Sequence, residues 1–264
     1  MRLIIFTSLL ALVMPMLVVA QETDAEQSQT KKLIEAATAT VSEIHGAQTA
    51  DGQSVAVEVI GPVYTFVEPI QKVASGTIWI WGNTGRPAAV LALSTIRDIR
   101  FFEFHSFSDH TLDFEVSGAK WQPSPAWSGT EIPEAPVPAE SASKRLSQIK
   151  QLAGRFRTSN VDRVNGKVTP MRILPQPIYR YPASTREKDG AVFLVSRDGD
   201  PEAVLFLETF TRTDGTLGWQ FMAGCLTVNF VDVFLDEKQY RLPRDLGPRE
   251  RYFIVRKAAE SNEK

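Results

Sequence analysis

The sequence predicts an α+β fold in which two similar antiparallel β-rich units are separated by a proline-rich connector and an amphipathic helix. Three observations support this prediction. Short apolar runs bounded by glycine and proline turns indicate paired strands on both sides of the connector. Apolar residues at helical spacing indicate the helix. The two strand-rich stretches also resemble each other in sequence.

Residues 1–20 predict a cleavable secretory signal peptide. Arg2 supplies the positive charge, residues 3–19 are almost wholly apolar, and small or modest side chains at 18–20 precede the cleavage point. An uncleaved membrane anchor is the weaker alternative, because Pro15 interrupts an apolar run that is already marginal in length. We therefore expect an exported protein, periplasmic or secreted, with no transmembrane segment after cleavage.

The composition argues against a nucleic-acid partner. Without the leader, the chain carries 28 basic and 31 acidic residues, a net charge near −3, which gives no general attraction to nucleic acid. Cys225 is the only cysteine, so no internal disulfide bond can form. Because Cys225 lies in the apolar run 221–228, we expect a buried and unreactive thiol.

The remaining chain divides into segments of distinct composition. In order, they are a polar N-terminal segment with a short helix (21–53), a first β unit (54–121), a proline-rich connector (122–140), an amphipathic helix (141–158), a second β unit (159–257) and a C-terminal tail (258–264). We expect residues 21–30 to be disordered and Lys31–His45 to be helical, with Thr30 as its cap. Ser141 is the predicted N-cap of the second helix.

Each β unit contains a hairpin of two apolar strands. In the first unit, the runs 77–81 and 88–93 enclose a turn rich in glycine, asparagine and proline. A further pair follows at 101–107 and 111–116. Since both hairpin strands are apolar on both faces, we expect burial on both sides, with the amphipathic helix covering one face.

The two units share a sequence pattern. A shift of 114 residues aligns Ser75–Leu93 with Asp189–Leu207 without a gap, and seven of these nineteen positions are identical. Random pairing would give about one identity. The identities include a turn glycine and a turn proline in each copy, and these residues fix backbone shape. The pattern predicts an internal duplication, with two unrelated hairpins as the alternative.

Three segments carry a resemblance to a known family. They are Gly85-Arg86-Pro87-Ala88-Ala89-Val90, Glu103-Phe104-His105-Ser106-Phe107-Ser108 and Leu174-Pro175-Gln176-Pro177-Ile178-Tyr179-Arg180-Tyr181. They resemble segments of a family of uncharacterised exported bacterial proteins, over roughly residues 65–210. The resemblance implies export and this order of elements. It assigns no activity and no catalytic residue.

Candidate catalytic residues lie in one cluster. His105 and His110 flank Asp109, and such groups bind zinc or act as acid and base in other proteins. Their spacing matches no common metal motif, so we predict no metal site and no cofactor. Extending the alignment of the two units places Met222 where His105 stands, which favours a structural role.

Tryptophans provide a second class of candidate. Trp79 and Trp81 share a strand face, and we expect them in the core because the second unit has Phe193 and Val195 there. A platform for stacking sugars is the alternative. Trp127 lies in the connector, and we expect it to hold the connector against a domain.

The distribution of charge suggests a binding face. Residues 98–140 carry a net charge of −6, whereas residues 144–172 carry +7. One interpretation is mutual neutralisation of neighbouring surfaces. The other is a basic face for an anionic envelope glycan or lipid. The candidate binding residues are Lys144, Arg145, Arg155 and Arg157, and the face continues to Arg163 and Lys167.

These observations favour an exported, non-enzymatic binding or interaction protein of the cell envelope. Two alternatives remain open. One is an exported hydrolase that uses His105, Asp109 and His110, with or without a metal. The other is a structural subunit of an exported assembly.

Overall fold

The protein is predominantly β, so the predicted α+β fold is wrong. The computed structural model describes residues 24–68, 73–82, 85–125, 129–181, 189–242 and 246–258. Strands hold 54% of these residues and helices only 13%. The helices pack on the sheets but form no layer of comparable extent. The predicted signal peptide and Trp127 lie outside the described residues.

The first half of the chain forms a helix and two antiparallel sheets. Its elements are α1 (Asp24–Val41), β1 (His45–Ala50), β2 (Gln53–Ala56), β3 (Val59–Glu68), β4 (Val73–Trp81), β5 (Ala89–Ile96), β6 (Ile99–Ser106), β7 (Thr111–Val116) and β8 (Ala119–Trp121). One sheet has the order β2-β1-β7-β8, and the other contains β6-β5-β4-β3. α1 begins within the stretch expected to be disordered, so Thr30 lies inside the helix and does not cap it.

The second half repeats this order in a continuous sheet. Its elements are β9 (Thr130–Glu131), α2 (Ala142–Ala153), β10 (Phe156–Val161), β11 (Val168–Ile173), β12 (Tyr179–Arg180), β13 (Gly190–Arg197), β14 (Asp200–Thr211), β15 (Leu217–Cys225), β16 (Phe230–Leu235), β17 (Lys238–Arg241) and β18 (Tyr252–Ala258). The sheet order is β17-β16-β10-β11-β13-β14-β15-β9. Ser141 caps α2 as predicted, because its side chain accepts a hydrogen bond from the Lys144 amide.

The two halves share their strand pairing. β1 pairs with β2 and β7, and β10 pairs with β11 and β16 in the same arrangement. In the main hairpins, Ile78 pairs with Ala92 and Val192 pairs with Phe206, so the register is preserved after the 114-residue shift. That this likeness arose by internal duplication stays a prediction.

The main hairpins pack against each other through their inner faces. Corresponding side chains from both hairpins form one buried cluster, which includes Ile78, Ile80, Val90, Ala92, Val192, Leu194, Val204 and Phe206. On the outer face of the first hairpin, Trp79 and Trp81 are 2% and 1% exposed and share a cluster with Val41 of α1. Their predicted place in the core is therefore confirmed. On the outer face of the second, Ile149 and Leu152 of α2 pack against the sheet, as expected.

Each half receives an edge strand from outside its predicted unit. β18 pairs with β6 of the first half, although the sequence predicts it in the second unit, and β9, which lies in the connector between the two units, pairs with β15. The connecting segments run side by side, since the amides of Gln122 and Ser124 donate to the carbonyls of Pro248 and Arg249 at 2.6 and 3.1 Å. These hydrogen bonds tie the two halves together.

The strand pairing shows that the sequence alignment of the two units is wrong where it extends beyond the hairpins to His105. Val90 pairs with His105, and its counterpart Val204 pairs with Gly224. His105 therefore corresponds to Gly224 and not to Met222. The His105 ring lies directly over Gly224, so the absence of a side chain in the second half makes room for the histidine of the first.

Candidate functional site

The three predicted catalytic residues do not form a common site. His105 is 2% exposed on β6, and its ring packs against Phe107, with ring centroids 4.9 Å apart. Asp109 and His110 are exposed in the turn that precedes β7. His110 Nε2 lies 3.6 Å from Asp109 Oδ1, and Asp109 also pairs with Arg86 at 3.4 Å. Within the described residues, no three His, Cys, Asp or Glu side chains are arranged to hold a metal ion.

A largely buried polar cluster lies where the two halves meet, with Glu103 and Arg197 partly exposed. We call it the polar junction, and it consists of Glu103, His105, Asn160, Arg197, Glu202, Cys225 and Tyr252. The Tyr252 hydroxyl donates to Glu103 Oε1 at 2.5 Å, and Asn160 Nδ2 donates to Glu202 Oε2 at 2.9 Å. Arg197 forms an ion pair with Glu202 at 2.8 Å. Hydrogen bonds and charge pairing thus hold the polar junction together.

Burial keeps several groups of the polar junction neutral. It raises the pKa of Glu103 to about 8 and lowers the pKa of His105 to about 3. Burial also raises the pKa of Cys225 to about 12, so the thiol is a poor nucleophile, as predicted. The buried position of Cys225 is confirmed. These properties suit a structural junction better than an open catalytic centre.

Two arginines of the predicted basic face, Arg145 and Arg155, form short ion pairs within the fold, and Arg157 lies 3.7 Å from the exposed carboxylate of Glu237. Arg145 is only 3% exposed, and its Nε donates to Asp189 Oδ2 at 2.6 Å. Arg155 pairs with Asp236 at 2.5 Å and donates to the Pro133 carbonyl at 2.8 Å. Both arginines therefore fix the fold and are not available to a partner. Lys144 remains exposed on α2.

A groove of about 740 Å³ lies between the C-terminal end of α2 and strands β10 and β11. We call it the α2–β11 groove. Most of its lining is apolar, including Phe156, Met171, Ile173, Leu174 and Phe234. Its volume falls within the range usual for small-molecule sites. The groove exists because α2 ends at Ala153 and the chain turns at Gly154 into β10, five residues before the predicted end of the helix at 158.

The charged side chains that line the groove are all cationic. They are Lys150, Arg157 and Arg172, and no carboxylate lies among the described lining residues. Arg157 is held over the Phe234 ring at 5.4 Å, and its Nη2 donates to the Asp236 carbonyl at 3.1 Å. Arg172 is exposed and Lys150 half-buried. The groove thus combines an apolar surface with positive charge.

Comparison of the chain with protein-family models, curated proteins and solved structures gave no match. Neither of the helices in the described ranges has the length and apolar run needed to cross a membrane.

Sequence reasoning identified Arg157 but missed the rest of the groove. Lys150 and Arg172 both lie within the basic stretch 144–172, but the net charge of that stretch does not single them out. Exposed and half-buried residues alternate along β11, Val168–Ile173, but two of the three exposed residues are Val168 and Pro170, so the sequence carries only a weak signal of this pattern. That pattern is typical of a strand with one solvent-facing side.

Proposed function

We propose that this chain is an exported, non-enzymatic binding protein that holds an anionic amphiphile in the α2–β11 groove. The observation that carries the proposal is the composition of the lining, which is apolar with three cations and no carboxylate among the described residues. An acyl chain would cover the apolar side chains, and its anionic head would meet Lys150, Arg157 or Arg172.

The same lining favours a lipid over a glycan. Sugar hydroxyl groups need several polar partners, because unpaired polar groups lose free energy when they leave water. Thr158 and Ser159 supply the hydroxyl groups of the lining, but both are buried, and Thr158 Oγ1 already donates to the Met171 carbonyl at 3.3 Å. We therefore choose the lipid from the two anionic partners that the sequence suggested.

Chain length gives the first test of this proposal. Isothermal titration of the purified protein with monomeric alkyl carboxylates of increasing length measures affinity directly. Each methylene group buried contributes about 0.8 kcal/mol, so we expect Kd to fall about fourfold per added methylene until the groove is filled. An affinity that does not change with chain length would contradict an apolar groove site.

Charge reversal gives the second test. Lys150→Glu and Arg172→Glu should each weaken binding of the carboxylate at least about tenfold, since a charge-assisted hydrogen bond contributes about 1.5–3 kcal/mol. Lys144→Glu is the matched control, because Lys144 lies on the same helix, carries the same charge and does not line the groove. Equal losses in all three variants would indicate only a general effect of net charge.

A further inference from the structure

The turn between β10 and β11 exposes an apolar side chain at its tip. We call residues 162–167 the β10–β11 turn. Val164 is 85% exposed, and Val168, which follows the tip, is 61% exposed. A single exposed valine needs no explanation. Here two exposed valines lie within five residues of each other, and Val168 also lines the α2–β11 groove.

The exposure of Val164 is fixed by hydrogen bonds within the turn. Asp162 Oδ1 accepts from the amides of Val164 and Asn165 at 2.8 and 3.1 Å. Asn165 Oδ1 accepts from the Lys167 amide at 2.8 Å, and Gly166 adopts a φ of 70° to close the turn. The turn is therefore a defined structure that presents Val164 to solvent, and not a loose loop.

Positive charge surrounds this apolar tip. Arg163 and Lys167 flank Val164, and neither forms an ion pair with any residue that the structure describes. The one acidic residue of the turn is Asp162, whose carboxylate is occupied by backbone amides that lower its pKa. Arg172 extends the same charge along β11. Exposed apolar side chains between basic residues match the chemistry of an anionic membrane surface.

We infer that the β10–β11 turn docks on an anionic lipid surface, with Val164 and Val168 entering the interface while Arg163 and Lys167 meet headgroup phosphates. Because Val168 also lines the α2–β11 groove, docking would bring this edge of the groove close to the lipid. The inference goes beyond amphiphile binding and does not require it, since docking depends on the turn and binding depends on the groove lining.

Co-sedimentation with vesicles tests the inference. We expect the protein to bind vesicles of equal parts phosphatidylcholine and phosphatidylglycerol, and to bind pure phosphatidylcholine much more weakly. Val164→Asp should lower the partition coefficient about tenfold, because it removes an apolar contact and adds a negative charge. Lys167→Ala should lower it about fivefold, the contribution of one basic residue near such a surface.

Val137→Asp is the matched control. Val137 is 67% exposed in the connector, outside the turn, so its substitution should leave vesicle binding unchanged. Val164 and Val137 are both exposed, so neither substitution should disturb the core. Urea unfolding of each variant checks that the fold is retained. Equal binding by wild type and Val164→Asp would overturn the inference, as would displacement from vesicles by inorganic phosphate at matched ionic strength, which would indicate a site for free anions.

The proposed function and the docking inference can be refuted independently of each other. Titration with monomeric carboxylate in buffer without vesicles reports on the groove alone. If Val164→Asp lowers vesicle binding but leaves carboxylate affinity unchanged, the docking inference is supported, and this result does not depend on which ligand the groove binds. If vesicle binding is absent while carboxylate binds, the docking inference is wrong and the proposed function stands.

Discussion

Replacing Glu103 with glutamine is expected to remove the alkaline decline in the stability of this protein. Burial raises the pKa of Glu103 from 4.5 to about 8, and nearby Asp200 and Glu202 raise it further, while the Tyr252 hydroxyl and Arg256 oppose the shift. The folded protein therefore keeps this carboxyl group protonated over a range of pH in which the unfolded chain ionises it. Across that range, raising the pH favours unfolding.

His105 has the opposite effect at lower pH. Burial, followed by the nearby charge of Arg251, lowers its pKa from 6.5 to about 3. Between these values the unfolded chain binds a proton that the folded protein does not, so the free energy of unfolding rises with pH. Each contribution has a slope of about 1.4 kcal/mol per pH unit.

The two slopes together predict a plateau. Between pH 4.5 and 6.5 both groups contribute, and the opposite slopes cancel. From pH 6.5 to about 8 only Glu103 contributes, and the free energy of unfolding should fall by about 2 kcal/mol. Glu103→Gln keeps a carbonyl oxygen for the Tyr252 hydroxyl but cannot ionise. Its stability should therefore rise through the plateau and stay level above pH 6.5.

Urea unfolding at a series of pH values measures these profiles. The informative quantity is the difference between wild type and Glu103→Gln, because contributions from groups that do not interact with Glu103 cancel in it. Glu115→Gln is the control, since Glu115 is exposed on β7. Parallel profiles for wild type and Glu103→Gln would refute the reasoning, because they would mean that Glu103 ionises alike in the folded and unfolded states.

Two further substitutions test the packing. Arg145→Ala should lower the free energy of unfolding by about 3–5 kcal/mol, because it leaves the carboxylate of Asp189 buried with one of its cations removed. Lys144→Ala, on the exposed side of the same helix, should change it by less than about 0.5 kcal/mol in the same urea titration. Gly224→Ala should cost about 1–3 kcal/mol, since the new methyl group would overlap the His105 ring, whereas Gly247→Ala meets no close contact and should be nearly neutral by thermal unfolding.

The hairpins were predictable because their signals are local. The run 77–81 lies within β4, 88–93 overlaps β5 except at its first residue, and the shared turn residues indicated equal chain paths. The end of α2 was not predictable in the same way. Phe156 continues the apolar stripe of the helix, yet it begins β10, where pairing with Leu235 of β16 stabilises the strand. That pairing joins residues far apart in sequence, so the residues next to Phe156 in the chain do not indicate it.

The binding candidates were harder to predict than the fold. The sequence predicts Arg145 as part of an exposed basic face, but the structure buries it. Its partner Asp189 lies 44 residues away and is itself fully buried. Only the tertiary structure shows that this charge is neutralised, whereas that of Lys150 meets the groove. Counting charges along the chain therefore overestimates the number of cationic side chains that are available to bind an anion.

The two halves provide an internal comparison that separates fold from function. They share the order of their elements and most of their strand pairs, although β11 also pairs with β13 in the second half, so the demands of the fold on each should be broadly similar. Residues 42–68 of the first half contain no lysine or arginine, whereas residues 154–181 of the second half contain six. The first half also joins β1 to β2 by a two-residue turn, while the β10–β11 turn is longer and carries Val164 at its tip. Since the fold forms in the first half without these features, the cations of the groove and the apolar tip require another explanation. The proposed binding of an anionic amphiphile at a lipid surface is one such explanation.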